Sequence, residues 1–295
     1  MPNDQSTEKS SLLLKLGAAL TTTPPAPIVS PTHFVNLART LSSTHPTHPT
    51  STPSSRGYFA NQFETPHNFT AHYTTTGPEI YTQCGGRLSA FVSGAGTGGT
   101  LSGVAAYLKS RDPRIKIVLA DPQGSGLYNK VKYGVMFSPT EKEGTRRRTQ
   151  VDTIVEGIGI NRLTRNFSLA RPLITDAIRV SDDEALAMAR FLVEKDGLFL
   201  GSSSAVNCFA ALKLAIQLGP GHRIVTILCD SGTRHLSKFW KGMDVGASWD
   251  MDIADVLGAG KAGGAPGESA RHNGDEVPAG MQSEEEFMAS APSSG

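Results

Sequence analysis

The feature that most constrains the fold is a glycine loop, residues 93–100, which contains four glycines and two threonines. An apolar run precedes it at residues 88–92, and apolar residues recur at helical spacing over residues 101–108. We therefore predict a buried strand, the glycine loop and a helix that begins at Gly98 or Gly99. Free backbone N–H groups and the positive end of the helix dipole converge in such a loop, which is typical of a phosphate-binding site.

Two kinds of phosphate ligand are compatible with this loop. The spacing Gly94-x-Gly96-x-x-Gly99 matches the dinucleotide fingerprint, and Asp121 ends the next predicted strand, where a ribose-binding acid is expected. A nicotinamide-dinucleotide protein of the Rossmann type is therefore one alternative. Three features favour a phosphate monoester instead. They are the threonine hydroxyls of the loop, the proline and second glycine-rich turn after Asp121, and the polar Ser231 at a distant strand end.

The rest of the chain alternates between strand and helix patterns. We predict strands at residues 18–20, 58–62, 115–120 and 223–229, and helices at residues 6–17, 30–41, 181–197 and 202–218. Strand, helix and strand at this spacing form a βαβ unit, so we predict an α/β fold with a parallel sheet. Ligands bind beyond the carboxyl ends of parallel strands, which places the glycine loop and Ser231 at the same edge.

Composition excludes several functional classes. The net charge is +1, from 28 basic and 27 acidic residues, which gives no bulk attraction to nucleic acid or to an anionic membrane. No apolar run approaches the length needed to span a bilayer, and the first residues match neither a signal peptide nor a transit peptide. Three scattered cysteines suit a reducing compartment. We expect a cytoplasmic or mitochondrial protein that is not an integral membrane protein.

Three low-complexity or charged segments lie outside the predicted core. Residues 44–55 are rich in His, Pro, Ser and Thr and predict a flexible surface insertion, in which His45 and His48 lack the carboxylates expected of a metal site. Residues 146–148 are three arginines without interleaved aromatic residues, which is more typical of a solvated loop than of a nucleic-acid site. Residues 243–295 predict a disordered tail.

A set of short motifs occurs in one consistent order over about residues 1–241. They are Pro2-Asn3 with Ser6-x-Glu8, Gln62-Phe63-Glu64-x-Pro66-x-Asn68, Thr76-Gly77-Pro78-Glu79-Ile80, residues 94–103, Glu156-Gly157-Ile158-Gly159 and Asp230-Ser231-Gly232. On these motifs the chain resembles the fold-type II pyridoxal-phosphate enzymes of the tryptophan synthase beta-like superfamily. The resemblance is strongest to the cysteine synthase (O-acetylserine sulfhydrylase) family, in its fungal branch.

The resemblance implies a three-layer fold, pyridoxal 5'-phosphate as the cofactor and a homodimer. It also implies a β-replacement in which sulfide displaces the acetate of O-acetylserine to form L-cysteine. The implied site residues are Gly96, Thr97, Gly98, Gly99 and Thr100 around the cofactor phosphate, Gly157 beside the cofactor ring, Ser231 at the pyridine nitrogen and Gln62 at the substrate carboxylate.

One departure from the family concerns the catalytic lysine. In the family, the Schiff-base lysine and the substrate-carboxylate loop precede the point where this sequence begins, and no lysine here has the expected glycine-rich context. We therefore expect an N-terminally truncated chain that is inactive by itself. Residues 1–63 would be the remnant of an incomplete smaller domain, and residues 64–242 the larger, cofactor-binding domain. The alternative is a catalytically dead phosphate-binding or dimerisation module.

Overall fold

The central element of the fold is a sheet of parallel strands. The computed structural model describes residues 1–44, 57–136, 153–243 and 250–262. The strands in these ranges are β1 (Ala90–Gly94), β2 (Lys116–Pro122), β3 (Asp176–Val180) and β4 (Ile224–Thr226). They form one sheet in the order β3-β2-β1-β4, and every neighbouring pair is parallel. The predicted α/β class is confirmed, and the carboxyl ends of the strands lie at one edge.

Helices connect these strands. They are α1 (Thr7–Lys15), α2 (Phe34–Thr44), α3 (Pro66–Ala71), α4 (Gly77–Gln83), α5 (Gly99–Arg111), α6 (Leu127–Tyr133), α7 (Arg165–Ala170), α8 (Asp182–Asp196), α9 (Ser202–Leu218) and α10 (Ile253–Ala262). A π-helical turn, His72–Thr76, joins α3 to α4, and short 3-10 turns occupy Arg171–Leu173, Gly232–Arg234 and Trp240–Gly242. The predicted starts of α5, α8 and α9 are confirmed, whereas α2 begins a turn later than predicted.

The sheet is buried on both faces, because successive side chains of a strand point to opposite sides. On one face, Phe91 of β1 packs in a cluster with Leu101 of α5. On the other face, Val92 packs in a cluster with Phe209 of α9 and Met188 of α8. Both strand residues are fully buried. This arrangement gives the three-layer architecture that the resemblance implies.

Two of the predicted strands are wrong. Residues 18–20 and 58–62 have no strand partner in the described part of the chain. Asn61 adopts a left-handed φ of 47°, and its carbonyl accepts hydrogen bonds from the N–H groups of Glu64 and Thr65. The chain therefore turns at residue 61, just before α3. The apolar residues of the segment 58–62 have no neighbouring strand with which to pair.

The last predicted strand is shorter than expected, because side chains of α9 take over its hydrogen bonds. Only Ile224–Thr226 pairs with β1. Beyond it, the carbonyl of Ile227 accepts from the side chain of Asn207, and the N–H of Cys229 donates to the hydroxyl of Ser204. These bonds leave residues 227–229 outside the sheet.

The predicted disordered tail is wrong for residues 253–262, which form α10 and pack against α8. Val256 is fully buried in the same cluster as Val92. Alanines and glycines separate the apolar residues of this helix, so its sequence carries only weak periodicity. The predictions for residues 45–55, 146–148 and 263–295 lie outside the described residues.

All the described residues lie in one compact unit, and the predicted boundary between residues 63 and 64 stays a prediction. In the described ranges, every helix is too short or too polar to cross a membrane.

Candidate functional site

The glycine loop connects the carboxyl end of β1 to the first turn of α5. Gly98 is the N-cap of α5 and has a φ of +84°, a backbone conformation that residues other than glycine rarely adopt. A Cβ on Gly96 would lie 2.1 Å from the carbonyl oxygen of Gly157, and a Cβ on Gly99 would lie 1.9 Å from Oδ1 of Asn68. The approach to the backbone of Gly157 requires glycine at residue 96, whereas a Cβ at residue 99 would displace the side chain of Asn68. The loop places backbone N–H groups at the N-terminus of a helix.

Thr97 is held in place by three neighbours. Its Oγ1 accepts hydrogen bonds from Nδ2 of Asn68 at 3.0 Å and from the N–H of Gly99 at 3.2 Å. Its carbonyl oxygen accepts from the hydroxyl of Thr164 at 2.7 Å. Because Oγ1 accepts twice, the hydroxyl hydrogen of Thr97 is the part that can be donated to an anion.

Thr100 is paired with a histidine that the sequence analysis missed. Its Oγ1 lies 3.1 Å from Nε2 of His72, and Nδ1 of His72 lies 2.9 Å from Oγ1 of Thr76. Burial lowers the pKa of His72, which favours a neutral imidazole beside the loop. No motif spacing relates His72 to Thr100, so this pairing could not be predicted from the sequence.

Gln62 lies next to the glycine loop through a shared neighbour. Its carbonyl oxygen accepts from Nδ2 of Asn68 at 2.8 Å, the same nitrogen that donates to Thr97. The residue itself is exposed. The segment that carries Gln62 is therefore anchored to the loop by Asn68.

The segment around Gly157 packs directly against the glycine loop. Gly157 has a φ of +86° and is exposed, and its carbonyl oxygen faces Gly96. The N–H of Gly159 donates to the carbonyl oxygen of Ala95 at 3.0 Å. The predicted ring-side residue and the predicted phosphate residues therefore belong to one continuous surface.

Ser231 lies beyond the carboxyl end of β4 and caps a 3-10 turn. Its Oγ accepts from the N–H of Thr233 at 3.3 Å and from the hydroxyl of Thr233 at 3.1 Å. Its backbone forms an antiparallel bridge with Leu200. Ser231 is exposed, and its own hydroxyl hydrogen can still be donated to a ligand. A capping role and a ligand-binding role are compatible in this geometry.

A buried ionic cluster lies beside Gly157 and Ser231. The carboxylate of Glu156, which is 3% exposed, accepts from the hydroxyl of Ser6 at 2.6 Å and from Nζ of Lys9 at 2.6 Å. It also lies 3.3 Å from Nδ1 of His235. Burial alone would raise the pKa of Glu156, but hydrogen bonds from His235, Lys9 and Ser6 outweigh burial and hold this pKa well below its usual range.

Asp121, the candidate ribose-binding acid, points into the protein interior. It is completely buried, and its Oδ2 accepts from the N–H of Tyr128 at 2.7 Å. Burial raises the pKa of Asp121 to about 7. A carboxylate that binds a ribose must reach the ligand, so this geometry favours the phosphate monoester over the dinucleotide.

The described residues fit a phosphate monoester. The glycine cradle admits no Cβ at Gly96, a Cβ at Gly99 would displace Asn68, and two threonine hydroxyls stand at the N-terminus of a helix of 13 residues. The sequence predicted all of these residues, whereas Asn68, His72 and Thr164 hold them in place. No group of three or more His, Cys, Asp or Glu that could hold a metal ion occurs among the described residues.

Comparison with known proteins gives one consistent family. The family described as pyridoxal-phosphate dependent enzyme matches residues 1–230. "Cysteine synthase 2" of Emericella nidulans is 65% identical over 268 residues, covering 88% of this chain and 62% of that protein. "Cysteine synthase 2" of Schizosaccharomyces pombe is 63% identical over 240 residues, covering 81% of this chain and 60% of that protein.

A solved structure gives the same result. The crystal structure of O-acetylserine dependent cystathionine beta-synthase from Helicobacter pylori matches with a TM-score of 0.65 and 34% identity, covering 81% of this chain and 68% of that one. The chain spans less than two thirds of the length of the two curated relatives, 62% and 60%.

Proposed function

Because this chain belongs to the family of pyridoxal-phosphate dependent enzymes, we propose that its glycine loop holds the phosphate of pyridoxal 5'-phosphate in a cysteine synthase-type site. The observation that carries the proposal is the cradle in which Gly96 lies against Gly157, Gly98 against Phe167 and Gly99 against Asn68. Side chains are excluded from this cradle, and backbone donors face it.

Phosphate binding is the task of the first turn of α5. The N–H groups of Gly98, Thr100 and Leu101 and the positive end of the α5 dipole stabilise the phosphate charge, while the N–H of Gly99 donates to Thr97. Thr97 and Thr100 add hydroxyl donors, and Asn68 and His72 hold these hydroxyls in position. His72, which burial favours in the neutral form, positions Thr100 without adding a full charge.

The cofactor ring would lie between Gly157 and Ser231. Bound pyridoxal phosphate supplies an electron sink for negative charge at the substrate α-carbon. Ser231 can donate its hydroxyl hydrogen to the pyridine nitrogen, since its oxygen already accepts twice from Thr233. A neutral hydroxyl stabilises a protonated ring less than a carboxylate does. Ser231 therefore favours β-elimination and β-replacement over transamination.

We assign the substrate side of the site to Gln62, whose side chain would orient the carboxylate of the amino-acid substrate. The proposed reaction consumes O-acetylserine and sulfide and yields L-cysteine and acetate. Gln62 supports this role by its exposure and by its link to the glycine loop through Asn68.

The chain by itself is proposed to bind the cofactor without turning over substrate. No lysine of the sequence stands in a Gly-Gly-Ser-x-Lys segment of the kind that carries the family's catalytic lysine, and Lys261, which glycines flank, belongs to α10. Lys9, the lysine of the ionic cluster that lies closer to Glu156, is engaged with this carboxylate at 2.6 Å. Without a resident amine, the chain supplies no covalent anchor and no base for the substrate α-proton.

The proposal is tested by the thermal stability of the purified chain with pyridoxal phosphate, inorganic phosphate or NAD. A ligand that binds the folded state raises Tm, so pyridoxal phosphate should raise Tm and NAD should not. Thr97→Val should weaken pyridoxal phosphate binding by about tenfold, because it removes a hydrogen bond to a charged group. Thr82→Val, at an exposed position in α4, is the matched control. A Tm shift with NAD alone contradicts the proposal, and robust cysteine formation by the chain contradicts its inactivity.

Two further proposals concern the context of the protein. We propose a homodimer, on the resemblance to the cysteine synthase family, which sedimentation equilibrium tests directly. We also propose a reducing compartment, the cytoplasm or the mitochondrion, because Cys84, Cys208 and Cys229 are all free thiols.

A further inference from the structure

The two residues proposed to flank the cofactor ring each follow an acidic residue. Gly157 follows Glu156, and Ser231 follows Asp230. The two pairs are far apart in sequence and lie in different loops. Any group that contacts both acids therefore couples the two sides of the proposed ring site.

His235 makes both contacts. Its Nδ1 lies 3.3 Å from Oε2 of Glu156, and its Nε2 lies 2.8 Å from Oδ2 of Asp230. Only 1% of His235 is exposed, and the carboxylate of Glu156 is buried with it, whereas the side chain of Asp230 is 24% exposed. One rigid ring therefore spans the gap between the two loops.

The protonation state of His235 follows from this geometry. Two carboxylates, one near each ring nitrogen, favour the protonated imidazole, because only that form can donate from both nitrogens. Burial alone would lower the pKa of His235, but the bonds to Asp230 and Glu156 raise it above its usual value.

The other charged and polar groups of the cluster come from α1, from α9 and from the chain after His235. Lys9 of α1 contacts Glu156 at 2.6 Å, and Lys238 lies 3.7 Å from Glu156. Oγ of Ser202 lies 3.4 Å from Nδ1 of His235. Lys9 opposes the protonation of His235, yet it also shares Glu156 with that ring. Asp230 has no other ion-pair partner among the described residues, so His235 is the charged contact of its side chain.

We propose that protonated His235 is a positioning residue, which straps the loop of Gly157 to the loop of Ser231 and sets the spacing of the two sides of the ring site. This link between the two loops is the His235 strap, and its consequence for catalysis rests on the proposed function. The strap itself is a property of the chain alone, so it can be tested without any cofactor.

The test is amide hydrogen exchange of the purified chain, comparing His235→Gln with the wild type. Glutamine can reach one acid but not both. We expect opening to become about tenfold or more frequent at residues 156–160 and at residues 230–234 together, with β2 unchanged. His222→Gln, at an exposed position, is the matched control and should change neither loop. A change in one loop only, in neither loop, or equally throughout the sheet overturns the proposal.

A second measurement uses the wild type alone and decides the matter even if His235→Gln does not fold. Imidazole ¹⁵N NMR should show both nitrogens of His235 protonated at pH 7. As pH rises and this signal titrates, exchange protection corrected for intrinsic rates should fall in both loops at the same midpoint. The proposal is overturned if His235 is a neutral tautomer at pH 7, or if the exchange protection of the two loops does not change as His235 titrates. Neither result bears on phosphate binding, so failure here is distinguishable from failure of the proposed function.

Discussion

Nζ of Lys9 lies 2.6 Å from Oε2 of Glu156, although 147 residues separate the two in sequence. This pair attaches α1 to the loop of Gly157. α1 itself has no buried residue, and Leu16, just beyond its last turn, is 75% exposed. The helix is therefore held by the polar contacts of its first turn rather than by its leucines.

Lys9→Met should destabilise the fold by about 2 kcal/mol, because it leaves the buried carboxylate of Glu156 with fewer compensating charges. Urea unfolding at pH 7 measures the loss. Lys15→Met, at an exposed position of the same helix, is the control and should change the free energy of unfolding by less than about 0.5 kcal/mol. Equal effects of the two substitutions would show that the ion pair does not anchor α1.

Asp121→Asn should change how stability depends on pH. The pKa of Asp121 is raised to about 7 in the folded state, so the native state keeps a proton that the unfolded state has lost above its ordinary value near 3.8. Folding is therefore favoured at low pH, and this contribution is lost as pH rises through 7. Relative to the wild type, the asparagine variant should gain about 3 kcal/mol between pH 5 and pH 8. Urea unfolding at both values checks this, and a pH-independent difference would contradict the raised pKa.

Gly96→Ala should abolish phosphate binding and destabilise the chain. Its Cβ would lie 2.1 Å from the carbonyl oxygen of Gly157, so the loops must separate. Gly258→Ala in α10 is the contrasting control, since its Cβ meets nothing within 4 Å and its φ is ordinary. We expect that control to be neutral or to stabilise by about 0.5 kcal/mol. Calorimetric titration with inorganic phosphate measures the binding; undiminished binding by Gly96→Ala would place the phosphate elsewhere.

Ser231→Ala should separate the two roles of this hydroxyl. Loss of the cap should cost about 1 kcal/mol of stability, which Ser231→Asp should restore. Loss of the proposed bond to the ring nitrogen should weaken pyridoxal phosphate binding and leave inorganic phosphate binding unchanged. Paired titrations of Ser231→Ala with the two ligands distinguish these effects. Equal binding of pyridoxal phosphate by the variant and the wild type would make Ser231 a cap only.

Local sequence patterns predicted the elements that local chemistry determines. The capping box of Ser181 and Glu184 is present at the start of α8, and α5 begins at Gly99 as the glycine pattern indicates. The glycine loop could be predicted because its conformation and its close contacts both require glycine. Those requirements act over a few residues and are therefore visible in a single sequence.

Long-range contacts could not be predicted in the same way. Ser6 is the N-cap residue of α1 but makes no capping hydrogen bond, because its hydroxyl donates to Glu156. A buried carboxylate with a lysine and a histidine is a stronger partner than a helix N–H, and nothing in the local pattern of Ser6 reveals it. For the same reason, neither the contact of His72 with Thr100 nor the burial of Val256 in the core could be predicted.

The most direct test of the cofactor site is backbone amide NMR of the ¹⁵N-labelled chain with added pyridoxal phosphate. The account predicts that the amides of residues 98–101 shift first and most, with Gly157 following, and that NAD leaves them unchanged. If pyridoxal phosphate moves none of these amides, or if NAD moves them and pyridoxal phosphate does not, the glycine loop is not the cofactor phosphate site.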